Sequence, residues 1–221
     1  MSSHASPKGP GPRLRGDERN IESDLDEVLS DIRACRACLG ELPHTPRPVV
    51  RVFPETRLLI CGQAPGRRVH ESGLPFTDPS GDRLRQWLGV DYETFYADHR
   101  IGVAAQAFCY PGTAPAKNGK AGGDYPPPRR CAELWRPRLL EALPQMELTL
   151  LVGGHAQNWA LGGRVGANMT ETVRNWRASL PSVLPLPHPS WRNTAWLGKN
   201  PWFETEIVPY LRQRVADILS S

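Results

Sequence analysis

The chain has 221 residues, a length suited to one domain, or two, with a buried core. Hydrophobic residues make up 39% and charged residues 23%, and no apolar run approaches the ~18 residues of a spanning helix, which excludes membrane and fibrous architectures. Lys and Arg number 27 against 23 acids, for a net charge of +4 and a pI near 8.9, which suits a polyanionic partner and equally an ordinary basic surface. The opening residues, MSSHASPKGPGPRLRGDERN, are polar throughout and hold no secretory apolar stretch, so a cytoplasmic location is expected. In a reducing compartment an odd count of five cysteines favours metal or core roles over disulfides.

Residues 1–19 mix Ser, Pro, Gly and charge without an apolar period, which predicts a flexible tail and leaves 20–221 as the folded domain. From Ile21 the pattern changes: Ile21, Leu25, Val28, Leu29 and Ile32 recur at helical spacing, predicting an amphipathic helix that ends near Cys35 and Cys38. Three short apolar runs that stop at Gly, Pro or His predict buried strands at 57–61, 148–152 and 182–186. A fourth, at 101–105, is dominated by small residues. Helical patterns lie around 81–88, 129–143, 155–161 and 202–219. Strand and helix alternate, so a parallel sheet covered on both faces is expected.

Ligands of such sheets sit beyond the carboxyl ends of the strands. The segments found there are Gly62-Gln63-Ala64-Pro65-Gly66, Cys109-Tyr110-Pro111-Gly112, Gly153-Gly154-His155 and Pro187-His188-Pro189-Ser190. Glycine lacks a Cβ, so the first segment lets a ligand approach the backbone N–H groups closely. It reads equally as a tight strand-exit turn, and His188 between prolines reads equally as a surface residue.

Taken in order, these pieces resemble the uracil-DNA glycosylase superfamily, and within it the iron-sulfur branch usually called family four. That branch carries GEAPG after its first strand, where this chain reads GQAPG at 62–66. It continues with GxPF, matched by Gly73-Leu74-Pro75-Phe76, and ends with an HPS loop, matched by His188-Pro189-Ser190. It also carries four spaced cysteines, for which Cys35, Cys38, Cys109 and Cys131 are the candidates. The likeness spans about residues 30–215 and implies a three-layer α/β/α domain around a central four-stranded parallel sheet. It further implies a monofunctional N-glycosyl hydrolase that removes uracil from DNA after the nucleotide rotates into a pocket.

The chemistry requires stabilising negative charge on the departing base in a dry pocket, a task for preorganised donors. Backbone N–H groups of the Gly62 loop and a donor at His188 suit it; the resemblance makes Gln63 and His188 the catalytic residues, with Gly62, Ala64, Pro65, Gly66 and Phe76 forming the base pocket and Phe76 stacking on the base. Three departures stand out. The first loop offers Gln63 where other branches place an aspartate or asparagine to position water, and Glu71 does not fall where the branch carries acids. The base-reading asparagine of the branch falls near Ala105 and Gln106. The spacing of 22 from Cys109 to Cys131 is longer than in the branch.

The cysteine set suits a 4Fe-4S cluster, and on ligand type alone it suits zinc or plain thiols as well, while Cys61 in its apolar run reads as core. The segment 111–130 sets Lys117, Lys120, Arg129 and Arg130 against Asp124 alone; it resembles a product-trapping loop of a related branch and reads equally as a solvated basic face. Ser190 and Arg192 extend the histidine loop toward DNA. Trp176, Trp191, Trp196 and Trp202 read as core candidates, with Trp191 too near the site for that alone. The expected partner is DNA containing uracil or abasic sites, bound by a monomer with no membrane involved. The rival is a non-catalytic binder of the same DNA, and a nucleotide hydrolase comes last because the Gly62 loop has no accompanying lysine or metal-binding carboxylates.

Overall fold

The computed structural model describes residues 14–117 and 122–221. Four strands, β1 (Leu58–Cys61), β2 (Ile101–Val103), β3 (Leu148–Val152) and β4 (Val183–Leu186), form one parallel sheet in the order β2-β1-β3-β4. The register sets Leu58 opposite both Ile101 and Leu148, and Thr149 opposite Val183. Side chains on a strand alternate between faces, and β1 shows the result. Leu58 and Ile60 enter one core with Leu84, Trp87, Phe95, Phe203 and Leu211, while Leu59 enters another with Leu25, Leu29, Ile32, Leu139 and Leu143.

Those cores are closed by helices on both faces, the three-layer arrangement the alternating pattern predicts. On one side lie α3 (Pro79–Leu88), α4 (Tyr92–Ala97), α7 (Met169–Arg174) and α9 (Val208–Ser220). On the other lie α1 (Leu14–Ala34), α5 (Arg129–Glu141) and α6 (Gly154–Leu161). Two further short helices, α2 (Arg67–Ser72) and α8 (Thr194–Lys199), flank the loops at one sheet end.

The structure departs from the sequence reading in several places. Helix α1 starts at Leu14, within the predicted tail, whose residues 1–13 lie outside the described residues. The predicted helix at 202–219 is two pieces: a wider turn at Phe203–Ile207 comes first, and α9 begins where Pro209, lacking an N–H, sits in a first turn that needs none. Strand β2 ends at Val103 rather than residue 105. Beyond it the buried Arg136 takes over, donating to the carbonyls of Ala104 and Ala105 at 3.0 and 2.8 Å and to the Cys61 sulfur at 3.1 Å. No helix among the described residues is long and apolar enough to cross a membrane.

Candidate active site

From β1 the chain steps sideways to β2 and then across to β3 on the other flank, and this reversal leaves a crevice at the carboxyl ends. A cavity of about 320 Å³ fills it, lined by Gly62 to Gly66, Phe76, Asp78, Ala105, Asp124 and His188. Every residue predicted for catalysis or the base pocket is therefore brought together. The Gly62 loop is pinned to the exit of β2 by two bonds, from the Gln106 N–H to Gly62 O (2.9 Å) and from the Ala107 N–H to Gln63 O (3.1 Å). The N–H groups of Ala64 and Gly66 have no backbone acceptor among the described residues.

His188 follows β4 and packs against the exit of β3, where Gly153 has φ +86°; a Cβ there would sit 3.4 Å from that of His188. Burial pushes the imidazole below its ordinary value of 6.5, against the upward pull of Asp78 and Asp124, so the ring is neutral near pH 7. Its Nδ1 accepts the Ser190 N–H at 3.1 Å. A backbone N–H can only donate, so the ring proton sits on Nε2 and a neutral donor results. The loop is braced: Asn193 Nδ2 donates to His188 O (2.8 Å), and Arg83 donates to Ser190 O (3.1 Å) and Thr194 Oγ1 (3.3 Å).

Phe76 is held in the left-handed region, φ +58°, which side chains other than glycine rarely occupy. Its carbonyl accepts from the buried Arg85 at 3.0 Å, and its ring meets Phe95 edge-on with centroids 6.4 Å apart. Gly81 is what permits this, since a Cβ there would lie 1.8 Å from Phe76 O. The aromatic wall is thus placed by backbone strain and a buried cation together.

The predicted DNA-facing residues separate into two groups. Ser190 and Arg192 stay at the site: Ser190 Oγ accepts the Arg192 N–H (3.3 Å), and Trp191 between them is 74% exposed. Lys117 and Arg129 are exposed, and Lys120 lies outside the described residues. Arg130 turns to the cysteine side, bonding Ala37 O (3.0 Å) and Glu41 Oε1 (2.7 Å). Gln63 uses its Nε2 to hold Tyr125 O at 3.1 Å. Four charged residues at the cavity escaped the sequence reading as site residues: Arg67, Arg68, Asp78 and Asp124. Arg67 and Arg68 line it and directly follow GQAPG, an adjacency that could have flagged them. Asp124 reaches it from a distant segment.

Cys35, Cys38, Cys109 and Cys131 line a second, much smaller cavity of about 20 Å³ beneath Pro46, Phe108 and Trp135. Burial and the neighbouring thiols push Cys109 up to about 12, and burial pushes Cys131 up to about 11 while the Phe108 N–H, 3.3 Å from its sulfur, pulls it back. Among the described residues no three His, Cys, Asp or Glu side chains gather as a single metal ion requires. Cys61 is buried in the sheet, as expected of a core thiol.

Fold and site together define an α/β/α protein whose larger cavity is built by loops at one end of a parallel sheet. The chain belongs to the uracil DNA glycosylase superfamily: that family's profile matches residues 50–212, which take in all four strands and every loop of the larger cavity. A solution NMR structure of a candidate uracil DNA glycosylase from Methanosarcina acetivorans is 17% identical, with a TM-score of 0.43 over 73% of this chain and 92% of that one.

Proposed function

We propose that the protein is a monofunctional uracil-DNA glycosylase, which hydrolyses the bond between uracil and deoxyribose and leaves an abasic site. The observation that carries this reading is His188, a neutral imidazole with its proton on Nε2 at the wall of a cavity it shares with Phe76. As the glycosidic bond breaks, the sugar becomes oxocarbenium-like and the base carbonyl oxygens gain negative charge. A neutral donor already oriented by Ser190 stabilises that charge without first losing a proton. Phe76 stacks on the base, and the N–H groups of Ala64 and Gly66 are available to its oxygens.

Trp191 is suited to filling the gap the rotated nucleotide leaves in the stack. Arg67, Arg68 and Arg192 supply cations for the flanking phosphates. Cys35, Cys38, Cys109 and Cys131 are proposed to hold a 4Fe-4S cluster, because four thiols line one cavity and the chain carries the ordered motifs that resemble the iron-sulfur branch. A cluster held by these four residues would be structural, tying the end of α1 to the exit of β2 and the start of α5.

The test incubates the protein with labelled uracil-containing oligonucleotide and then cleaves abasic sites with alkali. Strand breaks are expected. The rival, a binder that leaves uracil DNA uncut, is favoured by the absence of any carboxylate from the Gly62 loop, and it requires retarded but intact DNA in the same experiment.

A further inference from the structure

We propose that Asp124 is the carboxylate that positions the attacking water and takes its proton, and that Thr113 and Tyr110 hold it for that task. The assignment rests on the glycosylase reading and fills its one chemical gap, since the Gly62 loop itself carries no acid.

The segment after β2 doubles back on itself. The Ala114 N–H donates to Gly123 O and the Tyr125 N–H to Gly112 O, both at 2.9 Å, so Thr113 and Asp124 face each other across a short antiparallel pair. Gln63 fastens this pair to the Gly62 loop through Tyr125 O. Asp124 is thereby brought from far along the chain to the cavity rim, where its Oδ2 lies 3.7 Å from the point a Gly66 Cβ would occupy.

The hydrogen-bond directions fix the carboxylate. Thr113 Oγ1 lies 2.7 Å from Asp124 Oδ1 and must donate, because an ionised carboxylate only accepts. The Thr113 hydroxyl has then used its proton, so the Tyr110 hydroxyl donates to it in turn. Tyr110 is buried and stacked on His44, with ring planes 2° apart, and anchors the chain. Such a chain polarises along its length and holds Oδ1, leaving Oδ2 for a water. Asp78, the other carboxylate at the cavity, is committed elsewhere: its Oδ1 caps α3 by accepting the Gly81 N–H.

Asp124 and His188 line the same cavity, the first exposed at the rim and the second half-buried, and Arg67 lines it with them. A base lying against Phe76 leaves its sugar at the rim. Water oxygen then bonds to C1′, the C1′–N bond breaks with its electron pair passing to the base, and the water proton passes to Asp124. Asp124 later releases that proton to solvent, from which the departing base anion is protonated, while His188 keeps its own proton throughout.

The experiment measures single-turnover cleavage of uracil DNA from pH 5 to pH 9, alongside affinity for abasic DNA, in the parent and in Asp124→Asn, Asp78→Asn, Tyr110→Phe, Thr113→Val and Thr113→Ser. Asp124→Asn should cut roughly a hundred-fold or more slower and keep its abasic-DNA affinity. Thr113→Val and Tyr110→Phe should each cut roughly tenfold slower, with Thr113→Ser restoring the rate. An active parent with Asp124→Asn near the parental rate overturns the assignment alone, as does loss confined to Asp78→Asn. A rate loss accompanied by an equal loss of abasic-DNA affinity overturns it in favour of a structural role. A parent inert on uracil DNA overturns the glycosylase reading and this assignment together.

Discussion

Gly81→Ala reverses the usual sign of a glycine-to-alanine change in a helix. Gly81 lies in the first turn of α3, where alanine is ordinarily worth about 1 kcal/mol over glycine. Here the new Cβ would fall 1.8 Å from Phe76 O and 2.6 Å from its carbonyl carbon, and both are backbone atoms that no rotamer change can move aside. Displacing that carbonyl also strains the 3.0 Å bond from buried Arg85, and hydrogen bonds to charged groups contribute about 1.5–3 kcal/mol. Overpacking adds about 1–3 kcal/mol, so after the helix gain the net destabilisation is about 1.5–5 kcal/mol. In a chain of this length that lowers Tm by roughly 3–20 °C. Gly198→Ala in α8, where an added Cβ meets nothing within 4 Å, is the control and should raise Tm by a few degrees. Thermal melts followed by circular dichroism decide it. A Gly81→Ala variant as stable as the parent would refute the claim that Phe76 is held by a carbonyl with no room to move.

The remaining expectations concern the two loops and the thiols. His188→Ala should slow uracil excision roughly a hundred- to thousand-fold in single turnover, and a near-parental rate would remove the histidine from the chemistry. Because burial holds His188 and His70 below 6.5, the unfolded chain binds more protons just under that value; stability is full above about pH 6.5 and falls as pH drops toward the folded-state values. Melting curves should therefore show a smaller acid loss in His188→Gln than in the parent. For DNA, removing Arg67 and Arg192 together should flatten the salt dependence of affinity by about two units of slope, while the Lys117, Lys120, Arg129 and Arg130 quadruple alanine variant measures what the basic segment adds. Protein purified without oxygen should be brown, and Cys131→Ala should lose both colour and melting temperature; a colourless, stable parent counts against the cluster.

Strand runs and exit loops were legible because a buried parallel strand leaves an unbroken apolar run, and glycine, proline and histidine mark where it stops. Gly62 to Gly66 and His188 stand at such exits, Phe76 came from the GxPF likeness, and they meet in one cavity. The helices α2, α4, α7 and α8 were not, since six residues hold less than two turns and show no apolar period. Asp124 carried no local signal: it stands between two glycines and the run Tyr125-Pro126, and its place at the cavity arises from backbone pairing across the segment and the grip of Gln63. The tryptophans divided for similar reasons. Trp176 is buried, Trp196 and Trp202 pack edge to face with centroids 5.7 Å apart, and Trp191 stands in solvent because its loop is turned outward by Ser190 and Asn193.

The single bond between Tyr125 and Gly112 also separates distance along the chain from distance in space. The polypeptide departs at Gly112 and is back at the same point thirteen positions later, so the count of 22 from Cys109 to Cys131 says little about how far apart those two sulfurs lie, and both reach one small cavity. Doubling the length of such a closed excursion costs only about 0.6 kcal/mol in loop entropy. Lengthening the chain between Ala114 and Gly123 is thus cheap for the fold, because the paired base keeps its acid in place.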